Sequence, residues 1–101
     1  MDARTIQQAF NELKVWEKVL SGEYTVVYSK RRLARPQTLS GQPDGTLSEH
    51  LWIADAAGQF VAHGHRYLRD LSPEQLARRP DPKRLIVADK MLALRSASLI
   101  G

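Results

Sequence analysis

Residues Leu51–Arg69, LWIADAAGQFVAHGHRYLR, read as a β-hairpin, and no other stretch constrains the fold as much. Two alternating apolar runs flank Asp55-Ala56-Ala57-Gly58. Asp at the first position and Gly at the fourth suit a type I turn with the glycine in the left-handed region. Such a turn fixes a register, and the register decides which side chains share a face. With Asp55 opposite Gln59, the expected pairs are Ala54–Phe60, Ile53–Val61, Trp52–Ala62, Leu51–His63 and His50–Gly64. One face then carries Trp52, Ala54, Phe60, Ala62, Gly64 and Leu68. Large rings beside small residues can receive a packed helix, so this is the expected core face. The other face carries Leu51, Ile53, Val61, His63, His65, Tyr67 and Arg69. His50 falls away from the other two histidines.

The helix for that core face is expected over Asp2–Leu20. Ile6, Phe10, Leu13, Trp16 and Leu20 recur at spacings of three and four, one stripe of an amphipathic helix. Asp2 suits its N-cap and Gly22 its C-terminal stop. Val15 and Val19 widen the stripe. Glu23–Lys30 (EYTVVYSK) reads as a strand rich in β-branched and aromatic residues. Arg35–Ser48 reads as a loop. Ser72-Pro73-Glu74-Gln75 carries an N-cap, a first-turn proline and a capping-box glutamine, so a short helix starts there and stops before Pro80. Asp81-Pro82 repeats the signal and suggests another helix start. Leu85–Leu94 (LIVADKMLAL) favours helix by composition, with a hairpin as the alternative reading. The fold class is therefore α+β: an N-terminal amphipathic helix on a small antiparallel sheet containing the 50–69 hairpin, with short helical C-terminal structure.

A chain of 101 residues is expected to form a single domain, residues 1–101. It has no cysteine, which excludes disulfides, cysteine-based zinc sites, iron–sulfur clusters and thiol nucleophiles. The N-terminus does not resemble a signal peptide, and no apolar run approaches the roughly 20 residues of a membrane span. A cytoplasmic location without membrane attachment is the expectation. The formal net charge is +4, and the positive charge is clustered. Lys30, Arg31, Arg32 and Arg35 stand together with no acid among them, the natural candidates for a nucleic-acid or acidic-protein surface.

His63-Gly64-His65 is the one constellation resembling a site. Two histidines two apart on a strand share a face, and Tyr67 and Arg69 continue it, so His63, His65, Tyr67 and Arg69 are the ligand-binding candidates. A metal needs a third ligand, and His50 faces the other way; no metal or cofactor is expected. Glu49, Asp55 and Asp70 are isolated acids, and the chain carries no phosphate-binding glycine loop or nucleophile elbow. No catalytic residue is assigned. Leu51, Ile53 and Val61 are too apolar for open water, which makes them oligomer-interface candidates. The expected function is a small basic binding or regulatory module, non-catalytic and acting through protein association, most simply as a homodimer. Two alternatives stand beside it: a small hydrolase or nuclease using His63 and His65, and a nucleic-acid-binding protein using the basic cluster.

Overall fold

The fold is taken from a computed structural model, which describes residues 3–87 and 90–93. The class is α+β. Two helices, α1 (Ala3–Glu12) and α2 (Val15–Ser21), precede strand β1 (Thr25–Leu33). A one-turn helix, α3 (Gln37–Ser40), interrupts the expected loop before β2 (Leu47–Ala54) and β3 (Phe60–Leu68). The one-turn α4 (Pro73–Leu76) then leads to β4 (Asp81–Val87) and β5 (Lys90–Ala93). The five strands form one antiparallel meander in the order β1-β2-β3-β4-β5. Among the described residues no helix is long and apolar enough to cross a membrane.

The expected N-terminal helix is broken. Lys14 sits in the left-handed region at φ 54°, and α2 starts afresh from it. The break resolves a conflict within the stripe. A continuous helix cannot turn Phe10, Leu13, Val15 and Trp16 all inward. After the break Val15 and Trp16 are buried, and Leu13 and Leu20 are left 42% and 57% exposed. Gly22 ends α2 at φ 87°, its amide bonded to the Val19 carbonyl. Asp2, the expected cap, lies outside the described residues.

The turn at Asp55–Gly58 forms as expected. Gly58 has φ 82°, its amide bonds the Asp55 carbonyl, and Asp55 Oδ1 accepts from the amides of Ala57 and Gln59. Asp55 also bonds Gln59 across the turn, and Ala54 pairs with Phe60. The register then slips. Ile53 pairs with Ala62, leaving Val61 as the extra residue of a bulge, and the following pairs are Trp52–His63, Leu51–Gly64 and His50–His65. One extra residue turns a strand over relative to its neighbour. From Ala62 onward the expected facing of β3 holds, whereas Val61, expected on the other face, packs against the core; Leu51, Trp52 and Ile53 of β2 are inverted. Leu51 and Ile53 are the fully buried residues, and Trp52 leaves the expected core face for the opposite one.

The core lies between α1, α2 and one side of the sheet. Ile6, Phe10, Val15 and Trp16 pack on Leu51, Ile53, Ala62 and Leu85. Gly64 admits a close neighbour there: a Cβ at this position would stand 3.1 Å from Pro80 Cβ. Beyond the helices the same side of the sheet holds a buried ionic cluster. Glu49 accepts from Ser29 Oγ at 2.7 Å, Arg31 Nε at 2.5 Å and Arg66 Nε at 2.6 Å. Arg66 also donates to the carbonyls of Leu76 and Arg78, and Trp16 Nε1 donates to the Ala77 carbonyl. The segment around α4 thus closes over this end of the sheet. Ser72 caps α4 by accepting from the Gln75 amide, as its sequence implies.

Asp81-Pro82 opens β4 instead of a helix. There Pro82 pairs with Gly64 of β3, beside the irregularity between His63 and Gly64. Leu85–Leu94 likewise does not take the helix its composition favours: Leu85, Ile86 and Val87 pair with Leu92, Met91 and Lys90 as a hairpin. Leu85 is buried against the α1–α2 core, a partner that a composition argument does not contain.

Candidate functional site

Among the described residues α1 and α2 cover only the core side of the sheet, and the one-turn α3 borders the opposite side. The site is built there by two bulges. The bulge at Val61 brings His50 and Trp52 of β2 to the face that already carries His63, His65 and Tyr67 of β3. A second bulge, at Val27 of β1, pairs Tyr28 with Trp52, Lys30 with His50 and Arg32 with Ser48. Three strands therefore present rings, histidines and cations on one surface.

The rings form a continuous file. Tyr28 lies 5.0 Å from Trp52, and Trp52 stacks on His63 at 4.5 Å and 23°. His63 stacks on His50 at 5.3 Å, His50 lies 4.8 Å from His65, and His65 meets Tyr67 edge-on at 4.8 Å. Hydrogen bonds fix the imidazoles. His50 Nδ1 and His63 Nε2 are 3.2 Å apart, and His65 Nε2 is 2.8 Å from Ser48 Oγ. All three histidines are therefore on one face, and the expected separation of His50 from the others is overturned by the bulge.

Among the described residues no group of three or more histidine or acidic side chains has the arrangement to hold an ion. Among the described residues His50 Nδ1 and His63 Nε2 are directed at one another and His65 Nε2 at a hydroxyl, whereas the buried His63 Nδ1 has no hydrogen-bond partner. Burial holds all three histidines below their ordinary value of 6.5, and nearby cations reinforce it. His63 is pushed down to about 4, by burial first and then by His50 and Arg84. At neutral pH the face therefore carries uncharged imidazoles, and its positive charge comes from lysine and arginine.

Two adjoining clefts open on this surface. One, of about 530 Å³, is lined by Arg32, Arg35, Ser48, His50, His65 and Tyr67, among others. The other, of about 230 Å³, lies between Lys30, Arg32, Ser48, His50 and Trp52. The sequence-derived basic cluster is thereby divided. Lys30, Arg32 and Arg35 serve the open face, whereas Arg31 points to the core side and is engaged by Glu49, so it is not an unopposed charge. Arg69 lies just past β3, in a separate cleft of about 430 Å³ with Arg78 and Arg79 that shares His65 and Tyr67. Leu51 and Ile53, offered as interface residues, have no exposed surface, and Val61 packs half-buried against the core.

Sequence reasoning left Ser48, His50 and Trp52 out of the site. The signal that could have found them is the alternation of β2 itself, in which Leu47, Glu49, Leu51 and Ile53 occupy one side and Ser48, His50 and Trp52 the other. In comparisons with protein-family models, curated proteins and solved structures, nothing matches this chain.

Proposed function

We propose that the chain binds single-stranded nucleic acid on the open face of its sheet. The observation that carries this reading is the file of rings from Tyr28 to Tyr67 with Lys30, Arg32 and Arg35 along its side. Bases of single strands stack on exposed rings, and lysine and arginine hold the phosphates that run beside them. The neutral histidines suit this role, since they offer π-faces and hydrogen-bonding nitrogens without a further cost in charge repulsion. A bare cationic patch would fit any polyanion, including an acidic protein; the rings favour bases.

The test is fluorescence anisotropy with a labelled single-stranded oligodeoxynucleotide, titrated at several salt concentrations. Binding should weaken steeply with salt, by a logarithmic slope of about −0.7 for each phosphate neutralised. Trp52→Ala should weaken it by about 5- to 150-fold, the equivalent of about 1–3 kcal/mol for one stacked base. Arg32→Glu should weaken it and flatten the salt slope. No binding at low salt, or tighter binding to duplex than to single strand, would remove the proposal.

Association of two copies is a separate proposal, and it needs a surface other than Leu51 and Ile53. The edge of β1, unpaired among the described residues and with Val27 and Leu33 57% and 69% exposed, is the place for it. Sedimentation of the chain against concentration measures this directly.

A further inference from the structure

Within the nucleic-acid surface proposed above, one pair of histidines is arranged for more than stacking. His50 and His65 are direct cross-strand partners with ring centroids 4.8 Å apart, and both line the cleft of about 530 Å³. That volume is in the range of small-ligand pockets and takes one nucleotide. His50 uses Nδ1 on His63 and His65 uses Nε2 on Ser48, so among the described residues the other ring nitrogen of each has no hydrogen-bond partner. Arg32 and Arg35 bring positive charge to the same cleft, and Tyr67 supplies a ring on its wall. Two imidazoles, two guanidiniums and a stacking ring around a nucleotide-sized space are the parts needed to move a proton at each end of a phosphodiester.

Resting on that reading of the face, we propose that the chain cleaves RNA, with His50 as general base and His65 as general acid. The ribose supplies the nucleophile. Neutral His50 takes the proton of the 2′-hydroxyl, and the 2′-oxygen forms a bond to phosphorus. The bond from phosphorus to the 5′-oxygen breaks, and that oxygen takes a proton from protonated His65. The products are a 2′,3′-cyclic phosphate and a free 5′-hydroxyl, and exchange with water restores both imidazoles. Arg32 and Arg35 hold the charge that grows on the phosphate oxygens. No water, metal or redox partner enters the balance of the step.

The surroundings set the roles. Lys30 and Arg32 of β1 and Lys83 of β4 oppose a proton on His50. His65 meets opposition from His50 and Lys83, but Asp81 of β4 and Glu49 of β2 favour its protonated form. His63 and Arg84 also face these histidines, and Arg35 and Tyr67 line the same cleft. Burial acts first on both histidines and lowers both, so the rate should peak on the acid side of neutrality.

The experiment uses the whole chain with EDTA present, a short single-stranded RNA and its 2′-deoxy counterpart. The RNA should be cut to fragments with 2′,3′-cyclic phosphate and 5′-hydroxyl ends, and the DNA should be bound but left whole. His50→Gln and His65→Gln should each slow cleavage by about 10²–10⁴-fold. Circular dichroism melts report that both variants are folded, and cleavage is compared at saturating RNA because both residues belong to the binding face. His65→Gln should lose the high-pH limb of the rate profile and His50→Gln the low-pH limb. RNA that is bound but stays intact would overturn the cleavage proposal and leave the binding surface standing. Failure to bind either oligonucleotide at low salt would remove both. Cleavage that persists in both variants, or that yields 5′-phosphate ends, would also overturn it.

Discussion

Replacing Glu49 by Gln removes a charge on which three other groups depend. Glu49 is 1% exposed and accepts from Ser29, Arg31 and Arg66. The two cations are not equivalent. Arg31 is 37% exposed, so its pairing resembles a surface ion pair of about 0–1 kcal/mol. Arg66 is 8% exposed and lies over the Trp16 ring, where an uncompensated charge costs about 3–5 kcal/mol. Its Nη1 keeps the carbonyls of Leu76 and Arg78, which places the expected loss for Glu49→Gln at the lower end, about 3 kcal/mol. For a domain of this size that is a fall in Tm of about 12–24 °C. In urea the midpoint should move down by at least about 1 M.

The pH dependence provides a second, independent reading. Burial by itself would raise the Glu49 carboxyl, but hydrogen bonds from Ser29, Arg66 and Arg31 outweigh it and hold the group below its ordinary value of 4.5. A carboxyl depressed in the folded state binds its proton more readily in the unfolded chain. Its contribution is therefore complete above pH 4.5 and is lost as pH falls through the lower folded value. The gap between wild type and Glu49→Gln should be constant near neutrality and close in that acid window. Urea melts at a series of pH values measure both quantities. A gap below about 1 kcal/mol at neutral pH would mean that the cluster behaves as a solvated surface pair and that the reasoning is wrong.

Two further outcomes follow from local strain and from the histidine face. Lys14→Gly should stabilise the chain by about 1 kcal/mol, because glycine occupies the left-handed region at φ 54° without the Cβ clash; a loss in thermal melts would refute the assignment of strain there. His63 should titrate near 4 in an NMR pH series, and stability should fall with decreasing pH from 6.5 toward that value because the unfolded chain takes up the proton first; a midpoint at 6.5 would show His63 to be solvated.

The α+β class, the Asp55–Gly58 turn and the Ser72 cap were legible in the sequence because each depends on interactions within a few residues. The features that were not legible depend on neighbours distant in the chain. The helix breaks at Lys14 because Val15 and Trp16 must both reach the sheet, a demand that the stripe of Ile6, Phe10 and Leu13 does not reveal. Leu85–Val87 extends because β3 offers an edge and the α1–α2 core offers Leu85 a place, which outweighs the helical preference of Leu, Ala and Lys. The site was half legible. His63, His65 and Tyr67 were placed together, and the basic cluster was found, but the strand that joins them was assigned the wrong way up.

That inversion has a single cause, which a pair of substitutions tests. The turn opposes Asp55 to Gln59, two odd-numbered residues. Beyond Ala54 at the turn, the core residues of β2 are odd-numbered, Leu51 and Ile53, whereas those of β3 are even-numbered, Ala62, Gly64 and Leu68. Turn chemistry and apolar pattern therefore disagree by one residue, and the bulge at Val61 absorbs the difference. Burial decides the conflict, since leaving Leu51 and Ile53 in water forfeits about 1.5–3 kcal/mol for each, more than a bulge costs a hairpin that keeps its other pairs. Leu51→Ala should then cost about 2–5 kcal/mol, as expected for a fully buried leucine. Trp52→Ala removes the larger side chain from the open face, with ring contacts to Tyr28, His63 and His50 worth about 0.5–1.5 kcal/mol each, and should cost less than Leu51→Ala. Denaturant melts of the two variants side by side give the comparison. A larger loss for Trp52→Ala than for Leu51→Ala would mean that the turn alone dictates the register, with Trp52 in the core and His50 turned away from His63 and His65.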